Sequence, residues 1–292
     1  MSTPIDMSGE RPRTGLKILA AYLALSAPAA AIALGAGRMS RAILVLHLFA
    51  LIVVAVLLHR PRTGLITDWL PLASIPLLYA ELPRLALTGL HDGRVQRWEL
   101  STFDTSPAQS LAGRWSAPLL SELLHAAYVS YYAIIYVPPV VLYLCGRRET
   151  FYRTVCGLMT VFVFCYLIFV MFPVAGPRYL WPPPPAVFDG PVRRFVLHVL
   201  AAGSAKGTAF PSSHVAVATV QSILAFRWSA RVGVALSVLT TGFALGAVYG
   251  GFHYGVDVLA GAAVGLVIGI TLMIANRGAG ERARPAVYAQ SS

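Results

Sequence analysis

Charge is scarce in this chain: only 12% of its 292 residues are Asp, Glu, Lys or Arg, about half the share usual in a soluble domain. Acidic residues are the scarcer kind, 12 against 23 Lys and Arg, which leaves a net charge of +11. A balance that positive would suit nucleic acid, but no basic cluster is interleaved with stacking aromatics, and the Arg residues stand at the ends of apolar runs. Nucleic acid is therefore not expected as a partner, and the charge reads as membrane topology. Cysteine is limited to Cys145, Cys156 and Cys165, without a CxxC pair or a Cys/His spacing for a metal. Buried free thiols are expected, and neither metal nor cofactor.

Apolar residues are what the chain has in excess, 57% of the total, with a mean hydropathy of +0.68. Runs long enough to span, against the roughly 20 residues a bilayer needs, fall at about 15–36, 41–59, 64–83, 118–145, 154–173, 212–228, 231–250 and 254–276. The fold class expected is all-α, a polytopic membrane helix bundle of about eight transmembrane helices. Its expected divisions are a cytoplasmic tail (1–14), N-terminal transmembrane helices (15–83), an interfacial loop (84–117), a membrane core (118–276) and a second cytoplasmic tail (277–292). The first run also has features of a signal peptide, a basic start leading to Ala27-Pro28-Ala29-Ala30, although it exceeds the usual apolar core of one.

Within this frame several residues carry expectations of their own. Glu81 is expected to pair with Arg84, and Asp68 to sit at an interface. The 84–117 stretch, with Arg94, Arg97, Trp98, Glu99, Asp104 and Trp115, reads as a piece lying on the membrane surface. Tyr128, Tyr132 and Tyr136 recur every four residues and so line one helix face, expected to pack in the core. Trp181-Pro182-Pro183-Pro184-Pro185 is a stiff, extended stretch. Gly242, Gly246 and Gly250, then Gly261, Gly265 and Gly269, repeat every fourth residue, the spacing that lets membrane helices approach closely within one chain or between two. The oligomeric state is left open by this.

Two segments concentrate the chemistry. In His253-Tyr254-Gly255-Val256-Asp257 the His and Asp are four apart, so on a helix they share a face and the carboxylate orients the imidazole as a nucleophile or base. Asp257 lies inside an apolar run, where a charge costs on the order of 2.5–3.5 kcal/mol, and His253 is its expected partner. In Phe210-Pro211-Ser212-Ser213-His214, Pro211 fits the first turn of a helix and the Ser pair supplies N–H groups and hydroxyls at its start, an arrangement suited to phosphate. A serine hydrolase built from Ser213, His253 and Asp257 is a rival reading, weakened by the absence of a Gly-x-Ser-x-Gly elbow. A transporter or scaffold is another, with no repeat between the halves to support it.

Short loops with Arg11, Arg13, Lys17, Arg60, Arg62, Arg147, Arg148, Arg153, Arg227, Arg231, Arg277, Arg282 and Arg284 alternate with longer, less basic ones. The positive-inside rule then puts both termini in the cytoplasm, and Arg178, His214 and His253 at the opposite, non-cytoplasmic face.

Gly176-Pro177-Arg178, Phe210-Pro211-Ser212-Ser213-His214 and His253-Tyr254-Gly255-Val256-Asp257-Val258 together resemble the three motifs of the type 2 phosphatidic acid phosphatase superfamily, over about residues 118–276. Arg97-Trp98-Glu99 and the Tyr-rich fourth run are similar to the branch containing fungal inositol phosphorylceramide synthase. The resemblance implies a six-helix phosphatase-like core and an enzyme that takes a lipid phosphate donor, with a lipid or water as acceptor, and no metal. It implies His253 as nucleophile, Asp257 as its partner, His214 as acid and base, and Arg178, Ser212 and Ser213 on the phosphate, with Lys206 a candidate further cation. The chain departs from the hydrolytic members at Met171 and Ala247, where they carry Lys and Arg, and at Tyr179, where they carry Pro. That departure implies transfer of a phosphate-bearing head group such as inositol phosphate, with lipid phosphate hydrolysis as the alternative.

Overall fold

The structure is a computed structural model, and it describes residues 13–60, 64–182 and 189–282, with side chains to residue 275. The tails with Arg11 and Arg284, and Pro183-Pro184-Pro185, lie outside the described residues.

Twelve helices and no strand make up the described residues: α1 (Thr14–Gly35), α2 (Arg41–His59), α3 (Leu65–Leu85), α4 (Asp92–Phe103), α5 (Pro107–Arg114), α6 (Pro118–Val129), α7 (Tyr131–Leu144), α8 (Arg148–Met171), α9 (Pro191–Gly203), α10 (Ser213–Ala225), α11 (Ala230–Tyr249) and α12 (Gly255–Arg282). Each of the eight apolar runs is helical. Five of the helices, α1, α2, α8, α11 and α12, are long and apolar enough to cross a membrane, and a sixth span results if α6 and α7, bent by 40° at Ser130, count as one. The count is below eight for two reasons. α3 is diluted by Pro71, Pro76, Pro83, Asp68 and Glu81, and α10 has only 13 residues, about 20 Å against a hydrocarbon core of about 30 Å.

The bundle is centred on α8, with 61% of its most apolar window buried, whereas α2, with 11%, is peripheral. Leu16, Leu19, Tyr22 and Leu23 of α1 join Phe151, Leu158, Phe162, Tyr166 and Phe169 of α8 in the main core. Glu81 takes a different partner from the one expected. It accepts from His47 Nδ1 of α2 at 2.9 Å, while Arg84 donates to the Ala80 carbonyl one turn back. A buried carboxylate gains more from an imidazole on the neighbouring helix than from an Arg able to stay in water. The thiols also differ from expectation: Cys165 is buried, but Cys145 is exposed at the end of α7.

α10 is held deep in the bundle by α12, and glycine permits the approach. A Cβ on Gly261 would collide with the Ser212 carbonyl, and one on Gly265 with the Ala216 carbonyl. The second glycine triplet therefore packs within the chain, as does Gly246 against Leu124 of α6. Because Gly261 presses on Ser212 itself, Gly261→Val is expected to destabilise the protein by about 1–3 kcal/mol, read as a lowered Tm in detergent. Substitution of lipid-facing Leu266, 47% exposed, by Val serves as the control and is expected to stay within about 0.5 kcal/mol.

Candidate active site

The three motifs meet because their flanking backbones bond to one another. Val174 and Thr208 form a parallel bridge, with Val174 N–H donating to the Gly207 carbonyl at 3.2 Å and Ala209 N–H to the Val174 carbonyl at 2.9 Å. This sets the segment leading to Arg178 beside the one leading to His214. Ser212 N–H donates to the Asp257 carbonyl at 2.9 Å, joining the start of α10 to the start of α12. Gly176 adopts φ +89°, and a Cβ there would stand 3.0 Å from that of Ala209, so the turn into Arg178 requires glycine.

His253 is not on a helix with Asp257. It lies in the loop after α11, its N–H donating to the Ala247 carbonyl at 3.1 Å, and α12 begins two residues later. The pair still forms, Nδ1 to Asp257 Oδ2 at 3.3 Å, because Asp257 is the third helical residue and its side chain turns back toward the helix start. There Oδ2 also accepts the Tyr254 N–H at 2.9 Å, the carboxylate half of a capping box. His253 Nε2 is 3.4 Å from Ser212 Oγ. Burial pushes the imidazole down to about 4, with the Ala209 backbone working against the fall, so the ring is neutral and its lone pair available at neutral pH.

Pro211 precedes the helix rather than entering its first turn. Ser212 is the N-cap of α10, its Oγ accepting from Val215 N–H, and the helix starts at Ser213. Since the Ser212 N–H is taken by Asp257, the donors without an intrahelical acceptor at this end are those of Ser213 and His214. The His214 ring centroid lies 6.3 Å from that of His253 and 4.4 Å from that of Tyr131. Arg178 donates to Ser204 Oγ at 2.8 Å and, among the described residues, pairs with no carboxylate.

His214, His253 and Arg178 line one small cavity of about 70 Å³ together with Tyr79, Tyr128 and Tyr131. Two wider cavities adjoin it. One of about 320 Å³ shares Arg178 and is lined also by Arg193, Gln109 and Trp181. The other, of about 560 Å³, shares His214 and is lined by Tyr136, Tyr166 and Lys206. Lys206 and Arg178 thus line different cavities, with Arg178's partner Ser204 lining the cavity of Lys206 as well, and the Tyr residues of α6 and α7 face cavities instead of packing solely as core. No group of His, Cys, Asp and Glu able to hold a metal occurs among the described residues. An imidazole backed by a carboxylate, a second imidazole across the gap, a guanidinium and a helix N-terminus form a set able to bind a phosphate ester and displace a group from it.

A family model described as the PAP2 superfamily matches residues 97–271. The chain belongs to the PAP2 superfamily. The searches of curated proteins and of solved structures returned no match. Membership makes this an integral-membrane phosphatase or phosphotransferase that acts on lipid phosphates.

The PAP2 motifs are held by two residues the sequence reading passes over, Asp92 and Gln96, and by Glu99, which it places on the membrane surface. Asp92, Gln96 and Glu99 occupy one face of α4 at spacings of four and three. Asp92 accepts from the N–H groups of Ala175 and Gly176, both at 2.9 Å, just before Arg178. Glu99 accepts from those of Gly255 (3.0 Å) and Val256 (2.9 Å), the first two of α12. Gln96 Nε2 donates to Tyr254 Oη at 3.1 Å, and Tyr254 O–H donates to Asp92 at 3.3 Å. The 84–117 connection is thus a strut on the site, and the missed signal was two acidic residues seven apart in a stretch read as an interfacial loop. Burial raises the Glu99 carboxyl above its usual range, and the two N–H groups oppose the rise. Glu99→Ala strands both donors in a buried setting and is expected to cost about 1–3 kcal/mol for each, measured as a fall in Tm. A matching change at the exposed Leu100 is expected to leave Tm within about 1 °C.

Proposed function

We propose that this PAP2 protein transfers a phosphate-bearing head group, such as inositol phosphate, from one lipid to another through a phosphohistidine on His253. The observation that carries the reading is the pair of imidazoles on either side of one cavity, only one of them backed by a carboxylate. His253 attacks phosphorus through Nε2, the bond to the departing lipid oxygen breaks, and His214 gives that oxygen a proton. In the second step the acceptor hydroxyl loses its proton to His214, its oxygen bonds to phosphorus, and the P–N bond breaks to restore His253. Arg178 and the N–H groups at Ser213 and His214 stabilise the charge that builds on the equatorial oxygens. The Ser212 hydroxyl steadies His253, and Lys206 stands at the rim as a further cation.

Transfer is favoured over hydrolysis by how few cations reach the cavity. Ala247 is fully buried and Met171 is exposed, so neither position supplies a charge. One guanidinium with a helix N-terminus matches a phosphodiester, which carries a single negative charge, better than a monoester, which approaches two at neutral pH. The distribution of Lys and Arg supports a site on the non-cytoplasmic face, with both termini cytoplasmic.

Purified protein given phosphatidylinositol and phosphatidic acid as donors, with ceramide and diacylglycerol as acceptors, is expected to form a new head-group-bearing lipid without inorganic phosphate, scored by mass spectrometry. His253→Ala should lower the rate by at least about 10³-fold, and His214→Ala by about 10²–10⁴-fold. Phosphate release dependent on His253 would make the protein a lipid phosphatase, and identical products from His253→Ala would remove the nucleophile. Because its folded-state pKa is depressed to about 4, His253 stays unprotonated as pH falls through the ordinary imidazole range. In single-turnover quench experiments its acid limb is therefore expected near pH 4, and a limb at about 6.5 would contradict the buried geometry.

A further inference from the structure

We infer that the tyrosine-lined cavity beside His214 is a single lipid-alcohol subsite used twice in each turnover, first by the departing alcohol and then by the acceptor. The inference rests on the phosphohistidine reading and specifies which cavity serves which part of the substrate.

The chemistry sets the requirement. With His253 attacking from one side, the oxygen that leaves stands opposite it, and so does the oxygen that later attacks. Both exchange their proton with the same imidazole, so both alcohols approach the cavity of His214. Of the two wider cavities only the one of about 560 Å³ is lined by His214, whereas that of about 320 Å³ is lined by Arg178. Both volumes fall in or near the range of ligand pockets, roughly 300–1,000 Å³.

The linings differ in the sense the assignment needs. The larger cavity is walled by Tyr79, Tyr131, Tyr132, Tyr136 and Tyr166, and Lys206 is its one permanently charged group. Phenol rings offer apolar faces with a polar edge, suited to a neutral hydroxyl-bearing lipid and poorly suited to a desolvated anion. Arg178 and Arg193 line the smaller cavity with Gln109 and Trp181, suited to the polar head group that stays on phosphorus. The larger cavity also adjoins surfaces meant for lipid, since Leu77 of α3 is 75% exposed and Val137 of α7 54%. Its α3 wall, with Ile75, Tyr79 and Ala80, lies outside the family match at 97–271.

The test uses the full chain in detergent with a diacylglycerol carrying a diazirine on one acyl chain, photolysed and mapped by peptide mass spectrometry. Label is expected on α3 and α7 and should fall at least about fivefold with excess plain diacylglycerol or with ceramide, but not with inositol phosphate. Label confined to other helices, or displaced by only one of the two alcohols, would overturn the shared subsite. In a second arm Ala80→Trp, which fills the cavity away from the imidazoles, is expected to lower kcat/KM for a long-chain donor about tenfold more than for a dibutyryl donor. Equal losses on both would also overturn it. Trapping of phosphohistidine in the parent protein tests the underlying reading separately: its absence, with competed labelling of α3 and α7 intact, would defeat the mechanism and the double use of the subsite, and leave only the binding of lipid alcohols in this cavity.

Discussion

Buried carboxylates answering backbone N–H groups hold the site together. Asp92, Glu99 and Asp257 are almost wholly buried, and an ionised carboxylate taken out of water loses several kcal/mol of solvation unless something replaces the water. Here the replacement is five N–H groups, those of Ala175, Gly176, Tyr254, Gly255 and Val256. Those donors face the mirror-image problem, since the first N–H groups of α12 have no acceptor within their helix and open into the buried end of the bundle. Each side satisfies the other, and the helix dipole of α12 adds to the attraction. The consequence is positional. α4 clamps the segment before Arg178 and the helix that carries Asp257 to one rigid element, and His253 is aimed from that helix.

Much of this was legible in the sequence and some was not, for reasons that differ by residue. His214, His253 and Asp257 could be read because polar groups in or beside apolar runs are informative, and Arg178 because of its motif; the structure brings His214, His253 and Arg178 to one cavity, with Asp257 behind His253. The route to the His253–Asp257 contact could not be read, because a spacing of four also fits a loop residue meeting a side chain that turns back over the helix start. Pro211 was misplaced because a Pro one position before an N-cap and a Pro just after one look alike until the cap is known. Asp92 and Glu99 were hidden for a different reason. A polar helix among mixed charges has the pattern of an interfacial segment, and only tertiary contacts with Gly176 and Gly255 show that its acidic face is buried. Glu81 was assigned to Arg84 because local spacing carried no information about His47 on another helix.

Membrane geometry accounts for the shape of what remains. α10 has only 13 residues, and its start lies within the bundle, with Ser212 and Ser213 both buried. A polar helix end can be kept there only if its neighbours approach closely enough to exclude lipid. Gly261 and Gly265 let α12 do so, since a Cβ on either would collide with the Ser212 or the Ala216 carbonyl. The same glycines that read as packing positions in the sequence thus set how closely α12 approaches the start of α10.

The electrostatics of the site follow from that depth. Burial keeps His253 neutral, which suits a nucleophile but leaves the cavity without the positive charge an imidazolium would give. Two cation positions found in hydrolytic members are occupied by Met171 and Ala247, the latter buried with its carbonyl engaged by the N–H groups of Phe252 and His253. The positive groups nearest the two imidazoles are therefore Arg178 and the start of α10, with Arg193 and its partner Asp189 one cavity away. A site so sparing in positive charge suits a singly charged phosphodiester better than a doubly charged monoester, which is what the proposed transfer requires. The cavities divide the same way: Arg178 and Arg193 line the smaller one, and five tyrosines line the larger.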